Sequence, residues 1–180
     1  MEWMLMPLRR YAEFSGRSRR MEFWMWQLAK FLVSLGIWIL FFAVAGGAMM
    51  TAGNDPERLV AAGGAVLVLA LVCMILGLGI IIPDIAVTVR RLHDTNRSGW
   101  WILAPLVPYL VFWVTFGTAV SSGARPEELI TGALGIVGLI CLLAASVLAL
   151  VLLVFYFLDG TPGPNRFGPD PKGRGSEVFS

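Results

Sequence analysis

The residues best suited to chemistry lie in "RRLHDTNRSGWW", Arg90 to Trp101, between two apolar segments. This stretch holds three arginines, the chain's sole histidine (His93), Asp94 and a tryptophan pair. Arginine forks suit phosphate and carboxylate oxygens. Beside a bilayer such a cluster matches an anionic lipid headgroup or a phosphate-bearing ligand. Arg17 and Arg20 before the first apolar run, and Asn165 and Arg166 after the last, are candidates to join Arg90, Arg91, His93, Asp94 and Arg97 in one site. Arg19 and Asp159 lie in the same stretches. The structural alternative is that these arginines only set membrane topology, as in any multispan protein. His93, Asp94, Asn96 and Gly99 go beyond what a topology signal requires.

His93 as a catalytic base needs a neighbour to orient it and a pocket for substrate. No Ser-x-x-Lys, His-Glu-x-x-His, Gly-x-Ser-x-Gly or Walker pattern is present. One histidine with scattered carboxylates is a poor metal set. His93 is instead expected to cap a helix end and bond to the tail or to Asp94. The reading is therefore non-enzymatic, with no catalytic residue, metal or cofactor assigned.

A second polar feature lies inside the apolar segments. Asp84 follows Pro83, about 9 Å below Arg90 at helical rise. An intramembrane carboxylate is costly and needs a partner. Phe23, Gln27, Lys30 and Ser34 share one helical face, and Lys30 lies at comparable depth. Lys30 and Asp84 are expected to pair, either fixing helix register or marking a proton or solute path.

These residues must be positioned by membrane helices. Of 180 residues, 57% are hydrophobic and 14% charged, against roughly 25% charged in soluble domains. The net charge of +2 is too small to point to nucleic acid. Four apolar runs, at about 23–50, 59–89, 100–120 and 129–158, each meet the roughly 20 residues needed to cross a bilayer. The fourth is long enough to require tilting, kinking or projection. Arg9, Arg10, Arg17, Arg19, Arg20, Arg90, Arg91, Arg97, Arg166, Lys172 and Arg174 fall on one side of a four-span arrangement. Arg58 and Arg125 fall on the other. The positive-inside rule then puts both termini and the middle connection in the cytoplasm.

The expected fold is an all-α integral membrane protein, a four-transmembrane-helix bundle forming a single domain over 1–180. Residues 1–22 form an interfacial segment with a short helix, 23–158 the bundle, and 159–180 an irregular cytoplasmic tail. Membrane lipids are the expected partners, with a homo-oligomer or protein partner left open. Cys73 and Cys141 lie in apolar runs and read as small packing residues. Thr131, Gly135, Gly138, Ala145 and Ala149 form a small-residue stripe suited to close helix packing. "NRSG" (96–99) and "NRFG" (165–168) hint at a parallel repeat of span pairs.

Three motifs in order carry a resemblance: "FSGRSRRMEFW", "IPDIAVTVRRLHDTNRSGWW" and "GTPGPNRFGPDP". Together they resemble the bacterial inner-membrane family known as domain of unknown function 805, over about Tyr11 to Pro171. The fourth apolar run is longer than that pattern suggests, and Met21 stands where a basic residue is expected. The resemblance implies a small four-helix inner-membrane protein and no particular reaction. The functional expectation is a module whose basic cytoplasmic face binds anionic lipid, a phosphate-bearing ligand or a partner protein. The alternative is a small transporter, flippase or channel using Lys30 and Asp84.

Overall fold

The computed structural model describes residues 2–53 and 55–173, so Arg174 of the basic tail lies outside the described residues. The described chain is helical, with no strand beyond an isolated bridge between Asn165 and Gly168. In order it forms α1 (Glu2–Arg9), α2 (Arg20–Ala52), α3 (Pro56–Asp94), a 3-10 turn (Gly99–Ile102), α4 (Leu103–Ser121), α5 (Glu128–Thr131) and α6 (Ala133–Phe157). Four stretches are long and apolar enough to cross a membrane: α2, α3, α4 with its leading 3-10 turn, and α6.

Two of these are far longer than a bilayer requires. At 33 and 39 residues, α2 and α3 are about 50 and 58 Å long, against a hydrocarbon core of about 30 Å. The surplus is at the polar ends. In α3 nearly every large apolar side chain from Leu59 to Ile82 is exposed. Apart from Ala62, burial in α3 begins at Pro83 and includes Ala86, Val87, Arg90, Arg91, Leu92 and Asp94. In α2 only Glu22, Phe23, Trp26 and the terminal Ala52 are buried. Lipid satisfies the apolar lengths, and the polar ends need protein around them.

The chain divides into two compact units, residues 1–14 with 21–87 and residues 15–20 with 88–180. In the first, α2 ends near Gly53, whose φ of +54° suits a glycine. Asp55 Oδ1 accepts from Glu57 N at 3.0 Å, and Pro56 opens α3, a proline position that forfeits no helical bond. Tyr11 Oη donates to Gly79 O at 2.6 Å and ties the N-terminal segment to α3.

In the second unit α4 packs along α6. Gly138 permits the approach, since a Cβ there would lie 2.9 Å from Thr115 Oγ1 and 3.4 Å from Phe112. This is one role of the small-residue stripe. The fourth apolar run, expected to tilt, kink or project, is interrupted near its start. Gly132 takes an extended conformation (φ −69°, ψ 159°) and separates the single turn α5 from α6. The 25 residues of α6, about 38 Å, suffice to cross, so the surplus length is absorbed by this break.

Candidate functional site

The second unit brings together most of the polar residues singled out in the sequence. Helix α3 runs through Asp94, beyond the apolar run that ends near Val89, so only residues 95–98 separate it from the 3-10 turn. It ends in a left-handed cap. Asn96 adopts φ +58°, Arg97 N donates to Leu92 O at 2.9 Å and Asn96 N to His93 O at 3.0 Å. This paired closure satisfies carbonyls that the helix end would leave open. Asn165 does something different. It closes a turn with Gly168 through two backbone bonds of 3.0 Å, while its Oδ1 accepts from Phe167 N at 2.9 Å. The two NRxG tetrapeptides thus take unlike conformations, which removes the basis for reading them as a repeat.

Asp94 is the hub of this polar cluster, with its side chain 3% exposed. Arg17 Nε donates to Asp94 Oδ1 at 3.0 Å, and Arg91 Nη1 to Oδ2 at 2.6 Å. Each guanidinium also spends its remaining donors on main-chain carbonyls. Arg17 reaches Thr161 O at 2.6 Å and Gly163 O at 2.7 Å. Arg91 reaches Tyr156 O at 3.2 Å and Leu158 O. Asp170, itself buried, lies 3.9 Å from Arg17. Two arginines and two aspartates balance in charge, and the planar forks satisfy several acceptors at once, as lysine would not.

Main-chain bonds close the same knot. Thr161 N donates to Asp94 O at 2.9 Å, and Ser18 N to Arg90 O at 3.1 Å. Gly160 is enclosed against the carboxylate: a Cβ there would overlap the Asp94 oxygens. Gly16, at φ +83°, turns the chain so that Arg17 can enter. The tail, expected to be irregular, is tied to the end of α3 throughout residues 161–170.

His93 lies at the margin of this knot. Its Nδ1 bonds to Gly16 O at 3.2 Å, and its ring stacks parallel on Phe167 at 3.8 Å between centroids. Because Gly16 O only accepts, Nδ1 carries the proton. The bond to the tail is thus a ring stack, and the hydrogen-bond partner is the preceding loop rather than Asp94. Asn165 Nδ2 donates to His93 O at 2.9 Å.

The remaining basic residues differ widely in exposure. Arg90 is fully buried. Arg97 is half-buried, its guanidinium 3.7 Å from the Phe155 ring centroid. Arg166 is exposed, 4.6 Å from the Phe167 centroid, and donates to Asn96 O at 3.2 Å. Arg20 pairs with Asp159 at 2.6 Å and Lys172 with the same carboxylate at 2.9 Å, all three on the surface. Trp100 is 78% exposed beside them in sequence. Sequence reasoning did not identify Thr161, Gly163 and Asp170 as partners of Arg17, nor Phe167 as a partner of His93. Only their membership of the third motif marked them.

The other predicted pair lies in the first unit. Lys30 Nζ meets Asp84 Oδ1, the same oxygen that accepts from Trp26 Nε1 at 3.1 Å and Gln27 Nε2 at 3.5 Å. The shared α2 face read from the sequence supplies Gln27 and Lys30. Trp26 lies one residue off that face and adds the third donor.

Comparison with known proteins gives the same extent as the motifs. The chain is 33% identical over 172 residues to "Inner membrane protein YhaH" of Escherichia coli K12, covering 96% of this chain and 98% of that protein. It is 31% identical to "Inner membrane protein YhaI" of the same strain, with 96% and 97% covered. The "Uncharacterized protein YiiR" matches at 28% over 102 residues, about half of each chain. No solved structure matches. Residues 11–169, which hold Arg17, Arg91 and Asp94 as well as the Lys30–Asp84 pair, match the family described as "Protein of unknown function (DUF805)", and the chain belongs to that family.

Proposed function

We propose that this protein is a non-enzymatic, four-span module of the bacterial inner membrane. Both termini and the 95–98 turn lie in the cytoplasm, and an outward basic rim engages anionic lipid headgroups. The membrane assignment draws on the names of YhaH and YhaI and on the four apolar helices. The orientation draws on the one-sided arginines, and α1 would then lie along the cytoplasmic surface.

One observation carries the binding assignment. Arg17 and Arg91 are saturated by internal acceptors, whereas Arg166 is exposed and Arg20 and Lys172 are partly so, on the unit that also presents Trp100. The ligand-facing groups are therefore Arg20, Arg97, Arg166 and Lys172, and the buried arginines serve the scaffold. Arg97 and Trp100 lie where a span meets headgroups, a position that suits both residue types. The non-enzymatic reading is supported by His93, whose Nδ1 and ring face are committed to Gly16 and Phe167. The transport alternative gains no comparable support. Three donors converge on one oxygen of Asp84, an arrangement suited to a fixed helix register.

Native mass spectrometry of the protein released from nanodiscs of mixed phosphatidylglycerol and phosphatidylcholine tests the reading. Wild type should carry mostly phosphatidylglycerol, and Arg97→Ala/Arg166→Ala should lose that preference. Equal capture of both lipids by wild type would refute it. A fluorescent protein fused to the C-terminus should fold and emit, and a dark fusion would overturn the orientation.

A further inference from the structure

Between α2 and α3, inside the first unit, runs a groove of about 700 Å³. Its lining is apolar along most of its length, with Val33, Ile37, Leu76 and Ile80 among the contributors. Lys30 and Gln27 line one end, and Trp38 the other. Lys30 to Trp38 is eight residues, about 12 Å at helical rise. Half of a hydrocarbon core is about 15 Å. Lys30 immediately precedes the most apolar part of the first run, which begins at Phe31, so it stands toward the edge of the hydrocarbon. The groove therefore has the length of one leaflet's acyl region, with a cation at its headgroup end.

The charge also fits. Asp84 Oδ1 is met by Trp26, Gln27 and Lys30 together, so the carboxylate is shared among three donors. An ammonium has three N–H donors, and its bond to Asp84 uses one. A donor at the edge of hydrocarbon needs an acceptor, since leaving it without one is costly. A phosphate oxygen supplies that acceptor with charge assistance.

We propose that this groove holds one phospholipid, its phosphate accepting from Lys30 Nζ and one acyl chain lying along Val33, Ile37, Leu76 and Ile80 toward Trp38. This site is separate from the outward arginines. It selects for the phosphate and the acyl chain, which anionic and zwitterionic phospholipids share.

Gly77 permits a clean test. It lines the groove, and a Cβ there meets nothing within 4 Å. Gly77→Phe should fill the groove without disturbing the helix. Delipidated protein in detergent is titrated with phosphatidylethanolamine and with phosphatidylglycerol, and the first bound lipid is read by native mass spectrometry. Wild type should bind one of either lipid tightly, and Gly77→Phe should lose that first event. Lys30→Met/Asp84→Asn, which removes the cation without stranding a charge, should weaken it about tenfold or more, the worth of a charge-assisted hydrogen bond. Arg97→Ala/Arg166→Ala should leave it unchanged. Val33→Trp serves as a second groove-filling variant if Gly77→Phe does not give folded, monodisperse protein. Wild-type affinity in a folded groove-filled variant would overturn the site. Unchanged affinity in the double variant would overturn the headgroup assignment.

Discussion

Replacing Asp94 by alanine removes the one carboxylate that two buried guanidiniums share. Arg17 and Arg91 side chains are 1% and 0% exposed, so neither can recover its partner by turning to water. Asp170, 3.9 Å from Arg17, would be the remaining counter-charge for that residue. Breaking a buried pair by deleting one member costs about 3–5 kcal/mol, because the surviving charge stays desolvated. That range corresponds to about two to nearly four orders of magnitude in the opening equilibrium of the segments tied together there. Hydrogen exchange in detergent micelles reads this directly. The amides of Ser18 and Thr161 are bonded across the knot to Arg90 O and Asp94 O, so their protection reports its closure. Peptides covering 15–20 and 161–170 should exchange faster by that factor in Asp94→Ala. Peptides within α6, held by packing on α4, should change little. Removing Arg17 as well should cost less than the two single losses added, since each strands the other. Protection in Asp94→Ala within about tenfold of wild type would refute the reasoning, because 1.4 kcal/mol is below what any stranded buried charge should cost.

Two further substitutions probe the same unit through the backbone. Gly160→Ala puts a methyl group into the Asp94 carboxylate and should destabilise the knot by about 1–3 kcal/mol, seen as lost protection in the 161–170 peptides with α6 again unaffected. Asn96→Ala places an ordinary residue at φ +58° and should lower the melting temperature, at a cost of about 1–2 kcal/mol, whereas Asn96→Gly should match or exceed wild type.

The helices were legible from the sequence because lipid imposes a simple requirement, about 20 apolar residues for each crossing. Phe31–Met50 and Leu59–Ile82 meet it without reference to anything else in the chain. The Lys30–Asp84 pair was legible for a related reason: two opposite charges at similar depth in an apolar medium have few other partners. The length of the fourth run signalled a tilt, kink or projection, but a break at Gly132 in particular was not legible. Glycine is tolerated inside membrane helices, and Gly135 and Gly138 a few residues on remain helical. The three motifs could be seen as related, but not what relates them. Arginines in a loop next to a membrane look alike whether they face phosphate or an internal aspartate. The difference lies in carbonyls of residues 156–163, which carry no sequence signature of their own.

That difference changes what a basic motif means here. In the membrane part, side chains such as Ile75, Leu78 and Ile82 are exposed, and lipid suits that apolar surface. At the polar ends the requirement reverses. Helix α3 carries Arg90, Arg91 and Asp94 beyond its apolar run, where main-chain groups of the adjoining loop and tail need satisfaction and lipid gives none. A carboxylate flanked by two planar guanidiniums serves several carbonyls from different segments at once, which no apolar residue can do. The knot therefore has a charged centre, and its cohesion depends on the geometry of the guanidinium–carboxylate contacts. This explains why its glycines matter: Gly16 lets Arg17 enter and Gly160 leaves space for Asp94, so each is required by a charge it does not carry. With Arg17 and Arg91 occupied by internal acceptors, a ligand that engaged this inner pair would have to open the knot first.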